Sequence, residues 1–314
     1  MTAVPQSEPA FADVNGVSLC YDTFGDRKDS PLVLIMGLGA QMIAWDPEFC
    51  RRLAANGHFV VRFDNRDIGL STKLSDAGVP DIQALVMATL QGKPVTASYT
   101  INDMADDTAA LIDALDLGPS HVVGASMGGM IAQQLALRRP DKVRTLTSIM
   151  SSTGNPNLPP AKPEALAALM TPSPTELDAF LVNYQKFWNV LRAAEFPEEA
   201  ARDLERGRAA FLRGLNPAGV ARQMAAIFAL GNRKAGLAAI KAPTLVIHGD
   251  IDPLVPVEGG IDTAEAIPGA RLVRVPRMGH ALPVAIWPEV IGAIAEHTRE
   301  RREPRTAERN AWRR

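Results

Sequence analysis

The feature that most constrains this chain is a rhythm that stops and then resumes. Short apolar runs bounded by Gly, Pro or Asp occur at residues 17–24, 32–36, 59–63, 121–124, 143–150, 244–247 and 272–275. Runs of this kind are what parallel strands buried on both faces require. Between them, helical periodicity occupies 45–56, 103–117, 127–139, 258–267 and 288–300. This alternation predicts an α/β fold, a doubly wound and mostly parallel sheet covered by helices. The rhythm breaks at Ser151, where STGNPNLPPAKPE and then TPSPTE bring clustered prolines, and strand patterning returns only at Lys241. Helical patterns at 164–170, 175–191, 198–212 and 217–230 fill the gap. The expected organisation is a core from 1–150 and 241–298, with 151–240 as a helical cap inserted over the sheet's carboxyl edge. Open α/β sheets bind ligands there. A smaller excursion at 74–100 is expected to help wall the same cleft.

Composition narrows the function. Apolar residues make up 46% and charged residues 22%, which excludes disordered, collagen-like and coiled-coil chains. Lys+Arg 33 against Asp+Glu 35 leaves a net charge of -2, so neither nucleic acid nor a membrane is an expected partner. Cys20 and Cys50 belong to no C-x-x-C or Cys/His cluster, and neither a disulfide framework nor a metal or other cofactor is expected. The first residues lack the basic and apolar segments of a secretory signal, and no apolar run approaches the roughly 18 residues of a membrane span. A cytoplasmic protein is expected. The segment 299–314 forms a basic tail, expected to be solvated and frayed. No feature specifies an oligomeric state.

The chemistry concentrates at His121-Val-Val-Gly-Ala-Ser126-Met-Gly-Gly-Met130, a G-x-S-x-G motif with a β-branched run before the serine and a helix-forming run after it. A sharp turn between strand and helix forces the serine out at the sheet edge. Small residues at Gly124 and Gly128 let the two elements approach. A serine hydroxyl is a weak nucleophile at neutral pH, so it needs a base, and the base needs an orienting carboxylate. Of five histidines, His58, His121, His248 and His297 sit at strand ends or in a helix and have structural explanations. His280 lies instead in Arg277-Met-Gly-His280-Ala, a loop between the last strand and the last helix, and is the candidate base. For the acid, Thr244-Leu-Val-Ile-His-Gly-Asp-Ile-Asp-Pro offers Asp250 and Asp252 just past a strand end, and the residues alone leave both open.

These motifs resemble the α/β-hydrolase fold superfamily of serine esterase type over about residues 14–298. Met36-Gly-Leu-Gly39 resembles its oxyanion loop, Asp64-Asn-Arg-Asp-Ile-Gly-Leu-Ser71 its D-x-R-G-x-G-x-S turn, and Gly249–Pro256 with Gly279-His280 its acid and base segments. The family pattern G-x-x-D-x-x-V-P aligns the acid with Asp252, leaving Asp250 as a loop cap. The resemblance also implies that the backbone amides of Leu38 and Met127 form the oxyanion hole. Two departures stand out: Met36 replaces a usual His, and Asp67 a usual Gly, which bears on loop geometry and substrate preference. The combined motifs are similar to anthracycline methylesterases and related small-molecule esterases.

The implied function is a serine hydrolase of small-molecule carboxylic esters: Ser126 attacks, His280 carries the proton, Asp252 holds the imidazole and an acyl-enzyme forms. Lactones or macrolide-type antibiotic esters are alternative substrates of the same steps, and perhydrolysis or carbon–carbon bond hydrolysis is an alternative reaction. A non-catalytic small-molecule receptor is the reading from another class. An elbow Asp is what dehalogenase or epoxide hydrolase chemistry needs, and Ser126 occupies that position. By this division the elbow, the base and both oxyanion amides fall in the core. The cap then sets which acyl and alcohol groups fit, with Phe187, Trp188 and Met224 as candidates to line the pocket.

Overall fold

The computed structural model describes residues 4–299; the arginine-rich segment from 300 onward lies outside the described residues. Eight strands form one sheet: β1 (Ala10–Val14), β2 (Val17–Phe24), β3 (Ser30–Ile35), β4 (His58–Phe63), β5 (Ser120–Ala125), β6 (Val143–Ile149), β7 (Thr244–Gly249) and β8 (Arg271–Val275). They lie in the order β1-β2-β4-β3-β5-β6-β7-β8. The pairs β1/β2 and β2/β4 are antiparallel and every other pair is parallel. All seven expected strands are present. The unforeseen β1 closes on β2 through Asn15-Gly16, both at positive φ (48° and 78°). Asn-Gly between strand-like runs is the strongest short hairpin signal in a sequence, and it was there to be read.

Along β3 successive side chains go to opposite faces, as the two-residue period demands. Val33 and Ile35 pack with α3 (Ile101–Ala114) and α4 (Met127–Arg138) in one core, through Met104, Leu111, Ile131 and Leu135. Leu32 and Leu34 pack with α1 (Pro47–Ala55) and α11 (Trp287–Arg299) in the other, through Phe49, Leu53, Trp287 and Val290. Helix α10 (Val257–Ala266) joins β7 to β8. Helices on both faces explain why β3 to β7 read as unbroken apolar runs.

Between β6 and β7 the chain makes α5 (Pro163–Met170), α6 (Leu177–Leu191), α7 (Ala200–Leu212), α8 (Pro217–Leu230) and the short α9 (Lys234–Leu237), and no strand among the described residues. The excursion starts and ends at one place: the Arg233 N–H donates to the Thr153 carbonyl at 2.8 Å. A β-carbon on Gly154 would sit 2.3 Å from the Gly231 carbonyl oxygen. The segment 74–100 departs from expectation. It forms α2 (Ile82–Leu90), packs on α8, and among its described residues none lines the cavity above the sheet. Its backbone is held from outside that cavity, where the Gly78 carbonyl accepts from Arg222 Nη1 at 2.7 Å.

Candidate active site

Strand β5 ends at Ala125 and α4 begins at Met127, so the turn between them is a single residue, Ser126. Its backbone takes φ 56° and ψ −120°. Such a conformation costs a non-glycine residue about 1–3 kcal/mol and persists only where the surroundings over-determine it. Here close backbone contact does so. A β-carbon on Gly124 would lie 2.0 Å from the Gly128 carbonyl oxygen, and one on Gly128 would lie 2.1 Å from that of Ile35. Helix α4 thus rests its first turn on the ends of β5 and β3, and the serine side chain projects clear of the sheet.

Sheet order brings a second loop to the same point. β3 lies between β4 and β5, so the chain leaves β3 to one side and β5 begins on the other. Loops diverging from adjacent strand ends leave a crevice, the usual ligand site of an open α/β sheet. The loop after β3 reaches Ser126 closely: a β-carbon on Gly37 would be 3.0 Å from that of Ser126.

His280 and Asp252 arrive on the loops after β8 and β7. His280 Nε2 lies 2.9 Å from Ser126 Oγ, and its Nδ1 lies 2.8 Å from Asp252 Oδ2. The carboxylate has no proton to give, so Nδ1–H donates to it and Nε2 is left to accept from the serine hydroxyl. Asp252 Oδ1 accepts the N–H groups of Leu254 and Val255, each at 2.9 Å. The main chain of His280 is pinned as well, its N–H donating to the carbonyl of Leu191, the last residue of α6, at 2.7 Å.

The two aspartates left open by the residues have different places. Asp252 is buried beside the imidazole, whereas Asp250 is exposed and accepts the Arg277 N–H at 2.8 Å. That bond caps the turn where Arg277 takes φ 61°. His58 donates to the Leu53 carbonyl, His121 bonds Thr145 and Ser30, and His297 approaches the Leu146 and Pro243 carbonyls. His248 is closer to the chemistry than its strand-end position implied. It donates from Nε2 to the Val255 carbonyl at 2.7 Å and lies 3.5 Å from Asp252 Oδ2. Its spacing of four residues from Asp252 was the available signal.

Burial is the largest influence on Asp252 and opposes its ionisation. The charge of His280 and hydrogen bonds from His248 and His280 together outweigh it and hold the carboxyl well below the usual carboxylate range. Asp64 goes the other way: burial raises it, against the opposing charge of Arg213 and the N–H groups of Leu70 and Met42. This aspartate braces the turn after β4. Asp67, where the family usually has Gly, keeps the left-handed conformation (φ 72°). Its carboxylate receives Arg222 Nε at 2.8 Å, Arg222 Nη2 at 2.6 Å and the Leu74 N–H at 2.8 Å, which offset the strain.

Ser126 and His280 open into a cavity of about 450 Å³ between the sheet edge and helices α5 to α8. One wall is aromatic: Phe180, Tyr184, Phe187 and Trp188 follow one another along α6, with neighbouring ring centroids 5.4–6.0 Å apart. Leu38 and Met127 also line it. Of the expected cap residues, Phe187 and Trp188 line the cavity. Met224 does not: it is buried on α8, whose cavity-facing residues are Pro217, Val220 and Ile227. Among the described residues, no helix is long and apolar enough to cross a membrane.

A family model described as the alpha/beta hydrolase fold matches residues 30–284. The chain belongs to the α/β hydrolase fold family. It is similar to the rhodomycin D methylesterase DauP of Streptomyces sp. (strain C5), with 32% identity over 307 residues covering 90% of this chain and 95% of that protein. It is also 30% identical to a putative carbamate hydrolase, RutD, of Variovorax paradoxus (strain S110), over 84% of this chain and 89% of the relative. Among solved structures, a hydrolase from Pseudomonas aeruginosa PA01 superposes with a TM-score of 0.67 at 28% identity, covering 92% of this chain and 98% of that one.

Two outcomes follow from this geometry. Gly128→Ala drives a methyl into the Ile35 carbonyl and is expected to cost about 3 kcal/mol, lowering the thermal midpoint by roughly 5 °C in calorimetry. Asp252 binds its proton less readily folded than unfolded, so its stabilisation is present above the ordinary carboxylate range and lost as pH falls. The difference in thermal midpoint between wild type and Asp252→Asn should therefore narrow between pH 6 and pH 3.

Proposed function

We propose that the protein is a serine hydrolase that cleaves carboxylic esters of bulky small molecules through an acyl-enzyme on Ser126, His280 and Asp252. One observation carries the reading: two hydrogen bonds, of 2.9 and 2.8 Å, link hydroxyl, imidazole and buried carboxylate in line. As Ser126 Oγ bonds to the ester carbonyl carbon, its proton passes to His280 Nε2. Asp252 holds the ring in the tautomer that receives it and stabilises the imidazolium. The carbonyl oxygen, now an alkoxide, accepts from the amides of Met127 and Leu38. Met127 supports this role as the first residue of α4, where N–H groups have no partner within the helix. When the C–O bond breaks, the imidazolium protonates the leaving alcohol. Water, activated by the same imidazole, then releases the acid.

The residues 151–240 serve as the cap that sets which acyl and alcohol groups fit. A cavity of about 450 Å³ with an aromatic wall is large for a short alkyl ester and suits a multi-ring acyl group. The similarity to a rhodomycin D methylesterase supports a methyl ester as the bond cleaved.

Ser126→Ala and His280→Ala are each expected to lower kcat on p-nitrophenyl and methyl esters by about three orders of magnitude or more, with the double variant little worse. Asp252→Asn should lose about four orders, by favouring an unproductive tautomer, while Asp250→Asn stays within about threefold. Steady-state kinetics on folded variants checks this, and a burst of alcohol from an activated ester separates an enzyme from a receptor. Retention of more than a tenth of the activity in either alanine variant rejects that residue's role. For the cap, Phe187→Ala and Val220→Trp should change the ranking of a short and a multi-ring ester by kcat/KM. Parallel loss on both substrates, with a lowered thermal midpoint, means that the segment only packs.

A further inference from the structure

We propose that Gln223, on helix α8 of the insertion, is a positioning residue for this reaction. It fixes the loop 36–39 so that the Leu38 N–H points at the developing alkoxide. The inference rests on the ester-hydrolase reading above.

Gln223 is fully buried and bridges two core loops. Its Oε1 accepts the Gly39 N–H at 2.9 Å, and its Nε2 donates to the Arg66 carbonyl at 3.0 Å. Leu38 lies between two pinned neighbours. On one side Gly37 abuts Ser126; on the other Gly39, at φ 68°, is bonded to Gln223 and leaves only 3.1 Å between an added β-carbon and Val220. Within the turn, the Ala40 N–H returns to the Gly37 carbonyl at 3.3 Å. The Gly39 and Ala40 amides are thus both engaged, and among the described residues the Leu38 amide has no such bond, which leaves it to serve a ligand.

The helix that carries Gln223 is itself immobilised on the core. Arg222 makes its two-pronged pair with Asp67, with both side chains essentially inaccessible to solvent. Asn216 Nδ2 donates to the Asp67 carbonyl at 2.8 Å. A β-carbon on Gly219 would come within 2.6 Å of that same carbonyl oxygen. A neutral amide is the group this position demands, since it must accept from one main-chain group and donate to another. Oxyanion stabilisation depends on donors held in place before the reaction, so a turn free to relax forfeits part of it.

The test compares wild type with Gln223→Met, which keeps length and removes both bonds, and Gln223→Glu, which keeps the acceptor and loses the donor when ionised. For Gln223→Met, kcat is expected to fall about 30-fold with KM within threefold, less than the roughly 100- to 1000-fold of deleting an oxyanion donor outright. Ser126 Oγ bonds to the carbonyl carbon of an alkyl trifluoromethyl ketone, the serine proton passes to His280 Nε2, and the carbonyl oxygen becomes an alkoxide in the hole. The ketone's inhibition constant should rise by the factor that kcat/KM falls. For Gln223→Glu, the ratio of its kcat to that of wild type should rise as pH falls, because the protonated carboxyl regains a donor. The proposal is overturned if the trifluoromethyl ketone binds both variants as tightly as wild type, if the Gln223→Glu ratio is flat with pH, or if the loss falls on KM. Should Gln223→Met fail to fold, the pH dependence of Gln223→Glu decides alone. Full activity of Ser126→Ala would instead sink the underlying reading, whatever Gln223 does.

Discussion

Main-chain atoms meet at the ends of β3 and β5 at distances that leave no room for a single methyl group. The Gly128 carbonyl touches Gly124, the Ile35 carbonyl touches Gly128, and Gly37 abuts Ser126. These contacts force the left-handed serine, aim its hydroxyl out of the sheet and bring the loop after β3 within reach of it. The surrounding architecture serves that junction. Parallel strands fix the height at which each loop leaves the sheet, and the helices on both faces keep the strand ends in register. The later loops then need only deliver an imidazole and a carboxylate to a point already defined.

Signals confined to a few adjacent residues were readable in the sequence. The elbow is one strand, one serine and one helix in succession, and its glycines announce a close approach wherever they occur. His280 stood out because the other four histidines had ordinary places to be. Choosing between Asp250 and Asp252 needed either a family pattern or coordinates, since both follow β7 and differ only in which way the loop turns them. Met224 shows a different limit. Helical spacing marks a residue as buried, but α8 is buried on several sides, and spacing does not say which side meets the cavity.

The polar seam between insertion and core was not legible. Arg222 and Gln223 stand next to each other in a helix, as solvent-facing residues commonly do, and their partners Asp67, Arg66 and Gly39 lie 155, 157 and 184 positions away in sequence. Only the folded chain shows that Arg222 meets a buried carboxylate, which is costly to leave unpaired. Arg213 of the α7–α8 connection likewise reaches Asp64 and Gln41. The aspartate at position 67, read from the sequence as a departure bearing on loop geometry, is the anchor of this seam. The expected division into a core and an inserted cap therefore describes the order of the chain better than it describes which contacts hold the loops around Ser126.

The pinning of His280 by the Leu191 carbonyl extends that point to the opposite side of the cleft. Main-chain groups at the end of α6 hold His280, while side chains of α8 hold the loop beside Ser126. A chimera that exchanged residues 151–240 for the equivalent stretch of a relative would bring in a new pocket and also a new set of supports for His280 and for the loop beside Ser126. Grafts between members of this family should be cut as larger pieces, with the turn at 64–72 and the loop at 36–41 travelling with the helices that grip them.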